Sequence, residues 1–172
     1  MSTNQVAPEF IKTDLKEKLE MPSDITDQID KNDKDKVSVN IEELIDTNTF
    51  DQLLDMDDDE DHEFSYSLVV NYFDQAEETF KDMDAALDKK DLPELSRLGH
   101  FLKGSSAAIG LKKVKETCEK IQNIGNCQDE IGLKGLDETE AIKKITQILP
   151  LVKAEYSEAE EYLKSFYEQE TR

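Results

Sequence analysis

The stretch LGHFLKGSSAAIGL, Leu98 to Leu111, places a lone histidine inside a run of leucines and small residues. On a helical wheel of about 100° per residue, Leu95, Leu98, Leu102 and Ile109 lie within about 40° of the direction opposite His100. These four form the core stripe of a helix predicted from Pro93 to Ile109. Pro93 suits its first turn, and Gly110 ends it. His100 falls in the middle of the outward face, with Ser96, Arg97, Lys103, Gly104 and Ala107 around it. A core histidine is disfavoured by this geometry, while an ordinary surface histidine remains open.

Gly104 sharpens the question. Glycine in a helix interior costs about 0.5–1 kcal/mol relative to alanine. One turn from His100, it removes bulk beside the imidazole, so that something large can approach the ring. Close helix packing is the competing explanation, although the wheel puts Gly104 on the histidine side. Lys103 flanks the ring on the other side, where an ammonium could neutralise an anion carried by the imidazole. A solvated lysine is the plain alternative.

Working outward, the remainder of the chain reads as helices. Only 6 Gly and 4 Pro occur in 172 residues, Trp is absent, and aromatic residues make up 7%. Turns are therefore few and elements long, and the economical fold class is all-α. Residues 1 to about 40 are polar, mixed in charge and poor in large apolar groups, which predicts a mostly disordered tail. Apolar patterning starts at Ile41, so the folded domain is expected over 41–172. "IEELIDTNTFDQLLDM" predicts a short helix around Thr49 to Leu54, with an extended or helical lead-in. The acidic run "DMDDDEDHE" then breaks the chain and favours a helix start. The next helix runs from about Glu63 to Leu87, with Val69, Phe73, Ala76, Phe80, Met83 and Leu87 on one stripe. After the histidine helix comes one with Leu111, Val114, Cys118 and Ile121 inward, then the loop "GNCQDEIGLKG". A last helical region covers about Glu138 to Gln169, kinked or divided at Pro150. The expectation is a four-helix bundle with a short extra N-terminal helix.

Charge and motifs narrow the chemistry. The formal net charge of −20 argues against general binding to nucleic acid or an anionic membrane. No apolar run approaches the roughly 18 residues of a membrane span, and no secretory h-region opens the chain, so a cytosolic or nuclear protein is expected. Cys118 and Cys127 lack zinc spacing and suggest buried free thiols. From Lys89 to Gln122, however, eight basic residues outnumber four acidic ones. A basic island around one exposed histidine suits an anionic group or an acidic site on a partner. No metal is expected with a single histidine at the site. The run from Asp55 lacks the sixth-position Gly and twelfth-position Glu of a calcium loop. "GSSAAIG" is not a nucleophile elbow, and no Walker loop exists. What remains is a nucleophilic imidazole that accepts a phosphoryl group from another protein and passes it on.

At these residues the chain resembles the histidine-containing phosphotransfer (HPt) family. "HFLKGSSAAIG" is similar to its signature, and "CEKIQNIG", "DMDDDED" and "FDQAEETF" look like its fungal phosphorelay intermediates of osmosensing. The likeness covers roughly Thr47 to Gly125. It implies a four-helix bundle in which His100 is phosphorylated by an aspartyl-phosphate on the receiver domain of a hybrid histidine kinase. The group then passes to receiver domains of response regulators. Lys103 and Gly104 match the family's charge-stabilising and clearance positions, and Gln122 matches a side chain that hydrogen-bonds and orients the imidazole. The implied receiver-docking surface includes Leu53, Leu68 and Gln75. The resemblance further implies a monomeric carrier without kinase activity or cofactor. The long polar tail and the short loop after the signature helices depart from the family pattern. A helical adaptor in which His100 is incidental is the alternative, and an enzyme using His100 as general base lacks a second catalytic group.

Overall fold

The computed structural model describes residues 40–170. The predicted tail over residues 1–40 lies, but for Asn40, outside the described residues. Six helices follow in order: α1 (Ile41–Leu44), α2 (Thr47–Leu54), α3 (Glu63–Asp88), α4 (Leu92–Ile109), α5 (Lys112–Gly125) and α6 (Glu138–Glu170). The lead-in is thus helical, and the last four helices form the bundle. Among the described residues no strand forms; Gln128 and Gly135 make one isolated antiparallel bridge. No described helix is long and apolar enough to cross a membrane.

The periodic stripes become the core. Val69, Phe73, Ala76, Phe80 and Met83 of α3 are buried, and so are Leu95, Leu98, Leu102 and Ile109 of α4. Leu111, Val114, Cys118 and Ile121 bury from the α5 side. Burial pushes the Cys118 thiol up to about 12, so it is an inert apolar filler, whereas Cys127 is only half-buried. Local signals set the ends of α4. The Asp91 side chain accepts the Glu94 N–H at 3.2 Å, and Gly110 takes the left-handed φ of 83° that closes the helix.

Of the two outcomes expected at Pro150, a kink or a division, division does not occur: α6 runs on through the proline. Pro150 and Thr146, whose carbonyl loses an N–H partner to the proline, are both exposed, so water can satisfy that oxygen. Ile145, Leu149 and Val152 are buried and hold both sides of the proline to the bundle. The start of α3 is capped from within the acidic run rather than by its N-cap residue. His62 sits there at φ 51° without a capping bond, and Asp57 reaches across to accept the Ser65 N–H at 2.7 Å and meet His62 Nδ1 at 2.9 Å. Burial raises the Asp57 carboxyl, but hydrogen bonds from Ser65 and His62 outweigh it and hold the group below its usual range.

Candidate functional site

His100 stands exposed on α4, as the wheel predicts. The leucine stripe beneath it anchors the helix, so the imidazole's position is fixed by packing that does not involve the ring. Among the described residues it makes no hydrogen bond. Phe101 is also exposed, at 46%.

Gly104 is exposed, and a Cβ built on it meets nothing within 4 Å. The packing explanation for this glycine is therefore removed. Close packing is done instead by Gly99 and Gly125. A Cβ on Gly99 would lie 2.9 Å from the Gln122 nitrogen and 3.0 Å from the Cys118 oxygen. On Gly125 it would lie 2.6 Å from the Ser96 nitrogen and 2.9 Å from the Leu92 oxygen. These contacts are to backbone, so the two glycines set how closely α4 and α5 approach. Ser96 belongs to the same seam. The wheel puts it on the histidine face, but it is buried and its hydroxyl donates to the Gln122 carbonyl at 3.0 Å. The signal was present as small residues at Ser96 and Gly99, three apart, yet a wheel of one helix does not show the neighbour that covers them.

Lys103 is half-buried rather than freely solvated. Its ammonium lies 3.8 Å from a Glu119 carboxylate oxygen on α5. Arg97, the other cation of this face, is held by the adjacent Glu94 through two hydrogen bonds. That pairing holds the Glu94 carboxyl below its usual range. Lys103 is thus the cation of this face with the looser tie, at the distance limit of an ion pair.

Gln122 is half-buried, and its backbone nitrogen would lie 2.9 Å from a Cβ on Gly99, the residue before His100. Its Oε1 is buried with no partner among the described residues, and no hydrogen bond joins it to the imidazole. An orphan amide oxygen costs about 1–3 kcal/mol when nothing satisfies it. The residues of the docking surface divide. Gln75 is exposed and, with Glu78, Thr79, Asp82, Arg97, Leu98 and Phe101, lines a shallow groove between α3 and α4. Leu68 is half-buried against the core. Leu53 is corrected: it is buried at 6% and belongs to the core. It is drawn in because α2 packs down on the bundle through Phe50, whose ring meets Phe166 edge-on at 5.2 Å.

Comparison with known proteins gives this arrangement a context. The model of the Hpt domain matches residues 67–162. Multistep phosphorelay regulator 1 of Schizosaccharomyces pombe is 52% identical over 127 residues, covering 73% of this chain and 43% of that protein. Phosphorelay intermediate protein YPD1 of Saccharomyces cerevisiae is 49% identical over 84 residues, 48% of this chain and 50% of that one. The chain spans about half the length of the curated relatives it matches. Among solved structures, the co-crystal of the Saccharomyces cerevisiae phosphotransfer protein Ypd1 with the receiver domain of its downstream response regulator Ssk1 aligns with a TM-score of 0.65. That match has 34% identity and covers 73% of this chain and 95% of that one.

Proposed function

We propose, from the premise that the chain belongs to the Hpt domain family, that it is a phosphorelay intermediate carrying its phosphoryl group on His100. The observation that carries this reading is an exposed imidazole on a packed helix, with open space over the glycine one turn away. The donor is the aspartyl-phosphate of a receiver domain in a hybrid histidine kinase. The acceptor is the aspartate of a response regulator's receiver domain, and the setting is osmotic-stress signalling in the cytoplasm and nucleus. The protein acts as a monomeric carrier without kinase activity of its own.

In the forward step a ring nitrogen of His100 attacks phosphorus with its lone pair. The N–P bond forms, the P–O bond to the partner's aspartyl oxygen breaks, and the carboxylate leaves with the electron pair. The reverse on a second receiver returns the imidazole. The receiver supplies the carboxylates and Mg²⁺ that stabilise the transferring group. Three residues of this chain act around the ring. Gly104 leaves room for the partner's aspartate to come in line. Lys103, tied only loosely to Glu119, can turn its ammonium to the phosphoryl oxygens as they approach. Gln122 offers its buried amide to hold the imidazole as the partner closes over the site. Phe101, Leu68 and Gln75 supply the apolar and polar rim on which the receiver rests.

The test uses a receiver domain charged with ³²P from acetyl phosphate and Mg²⁺. Acid-labile, alkali-stable label on the wild-type chain, absent from His100→Gln, is the expected result. Stable binding with no label on the wild-type chain would support an adaptor instead.

A further inference from the structure

The seam between α4 and α5 brackets His100 along one side of α4. Ser96, four residues before the histidine, is buried, and its hydroxyl donates to the Gln122 carbonyl at 3.0 Å. Gly99, immediately before it, has the Gln122 nitrogen and the Cys118 oxygen within 3.0 Å of where a Cβ would stand. Lys103, three residues after it, reaches Glu119 at 3.8 Å. Residues three and four apart share a face of a helix, so α5 runs along the flank of the histidine that carries Ser96 and Lys103.

The carbonyl that Ser96 takes is a particular one. Helix α5 ends at Gly125, so Gln122 stands in its last turn, where carbonyls run short of intrahelical partners. The Asn126 N–H reaches the Gln122 oxygen at 3.2 Å but is shared with the Asn123 oxygen at 3.1 Å. The Ser96 hydroxyl makes the shorter bond to Gln122, and it comes from another helix. Gly125 closes the same turn onto α4, where its Cβ would lie 2.6 Å from the Ser96 nitrogen. Helix ends fray, and this one is pinned to the helix that bears His100. The pinned residue is also the one whose side-chain Oε1 is buried without a partner among the described residues.

We propose that Ser96 is a positioning residue for phosphoryl transfer and acts through Gln122. The proposal rests on the phosphotransfer reading, including the Gln122 amide as the group that holds the imidazole. Ser105 of the same helix shows the contrast. Its hydroxyl donates to the Phe101 carbonyl four residues back, the usual local bond of a helical serine, and ties nothing to α5. The Ser96 hydroxyl crosses the seam instead. By holding the Gln122 backbone against α4, it fixes the point from which the amide side chain reaches out. In-line transfer is sensitive to displacements of about 1 Å, so play at that point reaches the reacting ring.

The experiment is a double-mutant cycle of Ser96→Ala and Gln122→Ala. It is read by single-turnover transfer from a ³²P-charged receiver domain over a range of concentrations, and by thermal melts. Ser96→Ala should lower the saturated transfer rate about tenfold. The half-saturating receiver concentration should stay within about twofold of wild type. In the Gln122→Ala background the same substitution should change the saturated rate by less than about twofold, because the side chain it positions is gone. Melting behaves differently. Ser96 bonds the backbone at Gln122, which Gln122→Ala keeps, so Ser96→Ala should lower Tm equally in both backgrounds. Ser96→Cys, of similar shape with a weaker donor, should transfer at a rate between the two and carries the cycle if Ser96→Ala does not fold. A wild-type saturated rate in the serine variants overturns the proposal. An equal loss of rate with and without the Gln122 side chain also overturns it, because the bond is then merely structural. Gln122→Ala transferring at the wild-type rate does the same, since nothing is left to position. A wild-type chain that takes no label refutes the phosphotransfer reading itself, and the proposal with it.

Discussion

Replacing Gly104 by Gln adds a long side chain one turn from His100, where a Cβ meets nothing within 4 Å. Nothing in the fold has to move to accept it. The substitution also relieves the backbone freedom of a glycine inside an 18-residue helix, worth about 0.5–1 kcal/mol. For a domain of this size each kcal/mol shifts Tm by about 2–4 °C, so the variant should melt up to about 4 °C higher. Transfer should move the other way. The new amide occupies the space through which a receiver's aspartate must reach the ring, and a displacement of about 1 Å from in-line geometry can cost about 100-fold. Calorimetry and single-turnover transfer from a ³²P-charged receiver measure the two effects on one preparation. Gly99→Ala provides the internal contrast. Its Cβ would sit 2.9 Å from the Gln122 nitrogen, and overpacking against backbone costs about 1–3 kcal/mol. If Gly104→Gln transfers at the wild-type rate, the clearance argument is wrong. If it melts lower than wild type, the open space over Gly104 does not exist in solution.

Further outcomes follow from the same geometry. Lys103→Ala should slow transfer at saturating receiver while changing docking by no more than about 1 kcal/mol, because one half-exposed charge contributes little to binding; stopped mixing against a receiver titration separates the two, and a large loss of affinity with normal saturated transfer would contradict the role. His100→Gln should leave circular dichroism and Tm within error of wild type, since the residue is exposed and makes no hydrogen bond among the described residues; a cooperative loss of structure would mean that the imidazole supports the fold. Glu155 is 95% buried on α6, one of its oxygens lacks a partner, and burial pushes its carboxyl up despite a hydrogen bond with Thr117. With the folded value above the unfolded one, its contribution is present below the ordinary carboxylate range and is lost as pH rises through the folded value. Glu155→Gln should therefore raise Tm at neutral pH, with the gain vanishing near about pH 4; thermal melts across that range would show a pH-independent gap if the reasoning fails.

The histidine face was readable from residues 92–110 alone because helix periodicity is a local property. Four apolar side chains on one stripe must face a core, whatever that core is, and the residue opposite them must face away. Pro93 and Gly110 marked the helix ends for equally local reasons, a ring suited to the first turn and a residue free to take the left-handed closing conformation. What one helix cannot reveal is its neighbour. Ser96 lies within about 40° of His100 on the wheel and is buried all the same, because α5 runs over it. The small residues Ser96 and Gly99 hint at a close approach, but residue type alone does not separate Gly99 and Gly125, where two backbones meet, from Gly104, which faces open space. Leu53 follows the same logic: an apolar residue on a short amphipathic helix can be a docking contact or a core residue. Only the packing of α2 through Phe50 onto Phe166 made it core. Pro150 predicts a kink or a division by its lost N–H, and with Ile145, Leu149 and Val152 buried around it α6 is not divided. Local chemistry determined which groups each helix offers, and long-range packing decided which of them solvent and a partner can reach.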